Sequence, residues 1–339
     1  MAEMAEYFTP VAEVWRRTEA GMQNRIGDAC LTAVANSMRF IRGGQIQKGV
    51  VPVSASWLKA DGTLVSNRDI TSGMIARKVF ADMLPEIPFD SEEGAQNEGS
   101  SDSPFYIGYD DLDGSRADAV GAPTSTVICT VYNRDGSVHG AAIGDPSTGR
   151  MFSSVGVGNP VEGRTLVPVY MEDENVPVLI DTKYYNPDVR PWAGDLTDRG
   201  QIFIDNNQPY PRPTGGVFTA DQHMALRSEI QKISAAGNEM GVASNGAHQL
   251  YVASGCERAC VAFTSARGVP EDTSAGVFLR EQQARMQGID PETVVQRYTA
   301  IGGVIVATNV ESPGYDLAAI ANTPATLDRF HAMLISITK

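Results

Sequence analysis

Two β-branched runs, residues 126–132 and 138–143, flank Asn133-Arg134-Asp135-Gly136, and Ser147-Thr148-Gly149 follows as a further turn. Strands joined by so short a polar connection pair antiparallel, because a parallel return needs a crossover of about a dozen residues or more. The centre of this chain is therefore an antiparallel meander. Helical and extended patterns surround it. Met22, Ile26, Cys30, Val34, Met38 and Ile41 recur at helical spacing ahead of Gly43-Gly44, which predicts a long first helix. Residues 50–57 and 64–65 read as strands about the Asp61-Gly62 turn. Asp69 then opens a helix whose apolar positions include Ile70, Ile75, Val79 and Met83, ended by Pro85. Residues 87–89 are extended and deliver Glu92 and Glu93 into a polar segment, 94–103, expected to be a mobile loop. Residues 105–109 form a strand that runs into Asp110-Asp111-Leu112-Asp113.

Beyond the meander, residues 155–216 are rich in Gly, Pro and Asn and carry little periodic signal. A domain boundary is placed near residue 175, giving units 1–175 and 176–339. Thr219-Ala220-Asp221-Gln222 has a capping pattern ahead of a helix with Met224, Ile230 and Ile233. Residues 260–263 and 303–307 read as strands and 272–286 as a helix. Thr323-Pro324 starts a last helix with a Leu327, Phe330, Leu334 and Ile337 stripe. The fold class is α/β in layers: helices with an antiparallel sheet in the first half, an α/β arrangement in the second.

At 339 residues the chain exceeds what one core usually serves. No run approaches the ~18 apolar residues of a membrane span, and residues 1–11 lack the basic start and apolar middle of a secretory signal. A cytoplasmic location is expected. Cys30, Cys129, Cys256 and Cys260 show no paired zinc spacing and read as free thiols. His139, His223, His248 and His331 have no ligand spacing either, and Gly156-Val157-Gly158 lacks the third glycine of a dinucleotide fingerprint. The net charge of −14, from 41 acidic and 27 basic residues, disfavours nucleic acid and anionic membrane as partners. An acidic protein that takes an anionic small molecule needs local positive charge, which divalent cations held by clustered carboxylates supply.

Asp110-Asp111-Leu112-Asp113-Gly114-Ser115 has the composition of such a site. Asp110, Asp113 and the Leu112 carbonyl are hard oxygen ligands suited to Mg²⁺, and Gly114 lets backbone N–H groups approach a phosphate oxygen. A calcium loop of the EF-hand type is excluded, because Gly114 at its sixth position puts Tyr109 first and Val120 last. Alone, the stretch reads equally well as a solvated acidic turn. Asp69 and Asp272 are ordinary helix caps by the same reasoning, and Glu92-Glu93 ordinary surface.

Taken together, these residues resemble the inositol monophosphatase and fructose-bisphosphatase superfamily, nearest its inositol monophosphatase-like branch. Asp110 to Ser115 matches its Asp-x-(Leu/Ile)-Asp-Gly-(Thr/Ser) motif. Lys59-Ala60-Asp61-Gly62 with Val65-Ser66-Asn67-Arg68-Asp69, Ser91-Glu92-Glu93-Gly94, Ala243-Ser244-Asn245-Gly246-Ala247 with Val252-Ala253-Ser254-Gly255, and Glu271-Asp272-Thr273-Ser274-Ala275-Gly276 resemble its other blocks, in order. Gly302-Gly303 and Ile320-Ala321-Asn322 complete the series. The resemblance implies an αβαβα sandwich and a homodimer that hydrolyses a phosphate monoester of an inositol, sugar or nucleotide. Two or three Mg²⁺ ions would be held by Glu92, Asp110, the Leu112 carbonyl, Asp113 and Asp272. Asp69 and Ser115 would activate the attacking water, Gly114 and Ser115 amides would hold the phosphate, and Glu93 and Lys59 would orient the ligands. Glu271 stands where the family often has Trp, and the segment from Gly255 to Asp272 is longer than in inositol monophosphatases, which leaves the substrate open.

Two other readings compete. Asp111-Leu112-Asp113-Gly114-Ser115 also fits the Asp-x-Asp-Gly-(Thr/Ser) motif of haloacid-dehalogenase-type phosphatases, with Asp111 as a covalent nucleophile. A non-catalytic relative using the fold for binding is the other.

Overall fold

The structure is a computed structural model. It describes residues 22–46, 56–59, 64–115, 118, 125–146, 150–154, 169–170, 179–180, 201–204, five helical positions within 221–228, and 257–263, 270–286, 288–301, 304–309, 317–321 and 323–338. The helix expected over 219–233, beyond those five positions, and the blocks at 243–255 lie outside the described residues.

α1 (Met22–Ile46) buries Ile26, Cys30, Val34, Met38 and Ile41, the stripe its spacing predicts, and runs past Gly43-Gly44. β1 (Ser56–Leu58) and β2 (Leu64–Ser66) pair antiparallel, with Trp57 opposite Val65. α2 (Asn67–Met83) starts two residues earlier than its predicted opening at Asp69. Ser66 is the N-cap: its hydroxyl accepts from the Arg68 and Asp69 N–H groups, and the Asp69 carboxylate reaches back to the Ser66 N–H. This reciprocal capping box satisfies donors that a helix start leaves unpaired.

An antiparallel meander forms the centre of the first sheet. β3 (Phe89–Ser91), β4 (Gln96–Asn97), β5 (Phe105–Asp113), β6 (Thr126–Asn133), β7 (Val138–Asp145), β8 (Arg150–Ser154), β9 (Val169–Tyr170) and β10 (Leu179–Ile180) lie in the order β10-β9-β8-β7-β6-β5-β3-β4. Among the described strands of this sheet, β3 and β5 pair parallel and the other neighbours antiparallel. The segment expected to be a mobile loop, 94–103, is tied down. β4 pairs with β3, the Ser100 N–H donates to Glu86 O at 2.9 Å, and Gly99 sits at φ +55° so close that a Cβ would lie 2.4 Å from Pro88 N. Only glycine fits that position without strain.

β11 (Gln201–Ile204) and β12 (Glu257–Phe263) open a second sheet. α3 (Pro270–Met286) follows, then β13 (Val295–Ile301), β14 (Val304–Thr308), β15 (Leu317–Ala321) and α4 (Pro324–Thr338). The sheet order is β11-β12-β15-β13-β14.

The layers follow from which faces are apolar. α1 and α2 cover one face of the first sheet, burying Tyr109, Val127, Cys129 and Val131. α3 is apolar on two sides, as a helix between two sheets must be. Its Ala275 and Leu279 pack on Ile128, Ala141 and Ile143 of the first sheet, and its Val277 and Ala284 on Val295, Ala318 and Ile320 of the second. α4 covers the far face, where Tyr298 stacks on His331 with ring centroids 5.9 Å apart. The result is the αβαβα sandwich expected. Cys30 and Cys129 are buried free thiols, and no described helix is long and apolar enough to cross a membrane.

Candidate active site

Asp110 and Asp113 are three residues apart on one strand, so regular alternation would send them to opposite faces. A one-residue bulge in β5 reverses this. Asp110 stands opposite Ile128 and Asp113 opposite Thr126, so three steps along β5 match two along β6. Both carboxylates therefore share the face of Ile128, the face that α3 covers. Tyr109 and Leu112 go to the α1–α2 side. The acidic cluster thus lies within the strand rather than after it, at 2% exposure for Asp110 and 5% for Asp113. Asp110 Oδ1 accepts from the Leu112 N–H at 2.9 Å, and Asp113 Oδ2 from the Thr126 hydroxyl at 3.1 Å.

The chain leaves β5 through Gly114 at φ +93° and turns into a helical start, the Asp118 N–H donating to Gly114 O at 3.1 Å. That turn brings Ser115 against α2. Its hydroxyl donates to Asp69 Oδ1 at 2.6 Å and also lies 3.2 Å from Leu112 O. The other oxygen of Asp69 accepts from the Ser66 N–H at 2.9 Å and from the Ser66 hydroxyl. Burial pushes the Asp69 carboxyl up, while these hydrogen bonds from Ser115 and Ser66 pull it down. So Asp69 caps its helix and partners Ser115, one oxygen for each task.

A second link was not foreseen from sequence. Arg68 Nη1 meets Asp118 Oδ1 at 2.7 Å, with both side chains buried. Arg68 adjoins Asp69 and Asp118 follows Ser115 by three positions, so this pair clamps both halves of the Asp69–Ser115 contact. Thr126 and Ser66 were likewise unforeseen as carboxylate partners. The capping pattern Ser66-x-x-Asp69 gave a local signal for one; Arg68–Asp118 spans 50 positions and gave none.

Lys59 Nζ lies 3.0 Å from Glu92 Oε1 and 2.5 Å from Glu93 Oε1, joining the β1–β2 hairpin to the turn after β3. Burial alone would lower the Lys59 pKa, but the hydrogen bond to Glu93 and the charge of Glu92 outweigh it and raise it. Asp111 is fully buried, and burial pushes its carboxyl well above the usual range. Asp272 lies in the first turn of α3; its side chain is outside the described residues. Among the described residues, no three His, Cys, Asp or Glu side chains group closely enough to hold a metal ion alone. The donor set nevertheless suits a hard cation, being all carboxylate and carbonyl oxygen with Asp110 and Asp113 on one face of β5, and Asp272 is the further ligand the sequence offers.

No known family profile and no curated protein matches the sequence. Solved structures do match. The extragenic suppressor protein SuhB of Bartonella henselae is similar at a TM-score of 0.61 and 14% identity, over 91% of this chain and 98% of that one. The chain has the inositol monophosphatase fold. Mycobacterium tuberculosis SuhB is similar at 0.58 and 15% identity, covering 94% of this chain and 98% of that one. Inositol monophosphatase from Anabaena (Nostoc) sp. PCC 7120 matches at 0.57 and 15%, over 93% and 97%. Of the predicted residues, Ser115 at the Gly114 turn meets Asp69 at the start of α2, and Asp110 and Asp113 share one face of the adjoining β5 bulge.

Proposed function

We propose that the protein is a Mg²⁺-dependent phosphatase that hydrolyses a phosphate monoester of a small polar metabolite, an inositol, sugar or nucleotide phosphate. The observation that carries this reading is the 2.6 Å contact of Ser115 with Asp69 beside a bulge that turns Asp110 and Asp113 to one face. Glu92, Asp110, the Leu112 carbonyl, Asp113 and Asp272 would hold two or three Mg²⁺ ions. Bound there, Mg²⁺ supplies charge stabilisation at the attacking and leaving oxygens and lowers the pKa of water. Asp69 fixes the hydroxyl hydrogen of Ser115, which leaves the Ser115 lone pairs to accept a hydrogen bond from the incoming water and relay its proton. The Gly114 and Ser115 amides hold the phosphate, and Lys59 aligns Glu92 with Glu93. Positioning of this kind is most of what phosphoryl transfer asks of a protein. A cytoplasmic homodimer belongs to the same proposal.

A covalent route through Asp111 is disfavoured, because its carboxyl is fully buried on the α2 side of β5, away from the face that Asp110 and Asp113 share, and accepts from the Glu93 N–H. Phosphate release from inositol, sugar and nucleotide phosphates, with Mg²⁺ and with chelator, tests the reading. Release from at least one ester that stops on chelation supports it; release indifferent to the metal, or none at all, contradicts it. On the same reading, Thr126→Val removes the hydroxyl that orients Asp113 and raises the Mg²⁺ concentration for half-maximal activity by about 10–100-fold. A Mg²⁺ titration of the variant checks this.

A further inference from the structure

Resting on the phosphatase reading above, we propose that Asp111 is a positioning residue whose buried carboxyl pins the Glu92–Glu93 turn to β5 and so sets where Glu92 stands relative to Asp110 and Asp113. Asp111 is the extra residue of the bulge. Asp110 and Asp113 go to the α3 side, while Asp111 joins Leu112 on the side of α2. There its Oδ2 accepts from the Glu93 N–H at 3.2 Å, and the Ser91 hydroxyl also hydrogen-bonds to it.

The turn carrying Glu92 hangs from β5 by the backbone of Tyr109 and by the side chain of Asp111. The Glu92 N–H donates to Tyr109 O at 3.0 Å, a bond any strand end can make, and the Glu93 N–H donates to the Asp111 side chain. The turn closes on itself through the Gly94 N–H to Ser91 O at 2.9 Å, and Ser91 Oγ accepts from the Ala95 N–H at 3.0 Å. Without the carboxyl, the bonds from the Glu93 N–H and the Ser91 hydroxyl are lost, which leaves the β3–β5 pairing, the Glu92 N–H on Tyr109 O and Lys59 to place the Glu92 carboxylate.

Two features show that the fold accommodates this carboxyl at a cost. Its Oδ1 has no hydrogen-bond partner among the described residues, and an unpaired buried oxygen is destabilising. Opposite it stands Gly73, in the middle of α2, where a Cβ would lie 2.5 Å from Asp111 Oδ1. Glycine inside a helix is itself unfavourable relative to alanine. A core residue chosen for stability alone would not need both concessions; a carboxyl aimed at the Glu93 amide does.

The test is Mn²⁺ binding, with free Mn²⁺ counted by electron paramagnetic resonance, so that no substrate is required. Asp111→Ala is expected to weaken binding about 10–100-fold, the range for partners that orient metal ligands. Asp111→Asn keeps an acceptor for the Glu93 N–H and is expected to restore most of the affinity, which a merely structural loss would not predict. Gly73→Ala, whose methyl displaces the carboxyl from the other side, is expected to weaken binding as well and serves if Asp111→Ala does not fold. Wild-type affinity in folded Asp111→Ala or in Gly73→Ala, or Asn as weak as Ala, would overturn the inference. A wild-type protein that binds no Mn²⁺ would instead overturn the phosphatase reading on which it rests.

Discussion

Asp69→Asn is expected to lower kcat by about 10²–10⁴-fold, the range for losing a positioned acid–base group, while unfolding free energy changes by no more than about 1 kcal/mol, as for a weakened helix cap. The asymmetry comes from the two oxygens. Oδ2 serves the capping box with Ser66, and Oδ1 takes the Ser115 hydroxyl. An Asn that keeps its oxygen on the Ser66 N–H must turn its amide N–H groups towards Ser115, whose hydroxyl is then left with only the Leu112 carbonyl at 3.2 Å to accept its proton and loses the orientation the proposed mechanism needs. Ser115→Ala removes the same function from the other end. Residues that act as a unit are not additive, so the double variant is expected to be about as slow as the slower single one. Steady-state kinetics on the ester found to be turned over, beside urea unfolding of each variant, checks both statements.

Arg68→Met is expected to cost about 3–5 kcal/mol of stability, the usual consequence of leaving one member of a buried ion pair without its partner. The Arg68 and Asp118 side chains are 7% and 1% exposed and 2.7 Å apart, so a remaining Asp118 carboxylate cannot recover its hydration. Replacing both residues with apolar ones, Arg68→Met with Asp118→Leu, is expected to recover much of that loss, since a buried pair taken out whole is often nearly neutral. Activity is expected to follow a different course. The pair holds the start of α2, and with it Asp69, against the helical start that carries Ser115. The double variant is therefore expected to be stable yet slow. Denaturation and kinetics on the same preparations separate the two effects.

Much of the architecture was legible because it is written in local periodicity. The α1 stripe from Ile26 to Ile41, the β6–β7–β8 meander and the α3 and α4 helices each carry a pattern that one segment suffices to display. The start of α2 was readable too, but Asp69 drew the boundary onto itself, when the Ser66 hydroxyl and the Asp69 carboxylate cap the helix jointly from Ser66 onward. Segment 94–103 looked loose because it is polar; what holds it is a close approach of Gly99 to Pro88 and backbone bonds to residues before β3. The carboxylates were named from their motif, but their shared face was not derivable from spacing. A separation of three on a strand argues against it, and only the register against β6 reveals the bulge that permits it. Arg68–Asp118 and Asp111–Gly73 are contacts between distant segments with no local trace, apart from a glycine placed where a helix gains nothing from it.

The most direct test is a Mg²⁺ titration of phosphate release by wild type and by Asp113→Asn, with circular dichroism to show that the variant is folded. Saturable activation of the wild type by Mg²⁺ is expected, with a folded variant that stays near background at every Mg²⁺ concentration. Equal activity in the two proteins, or wild-type turnover that ignores Mg²⁺, would contradict it.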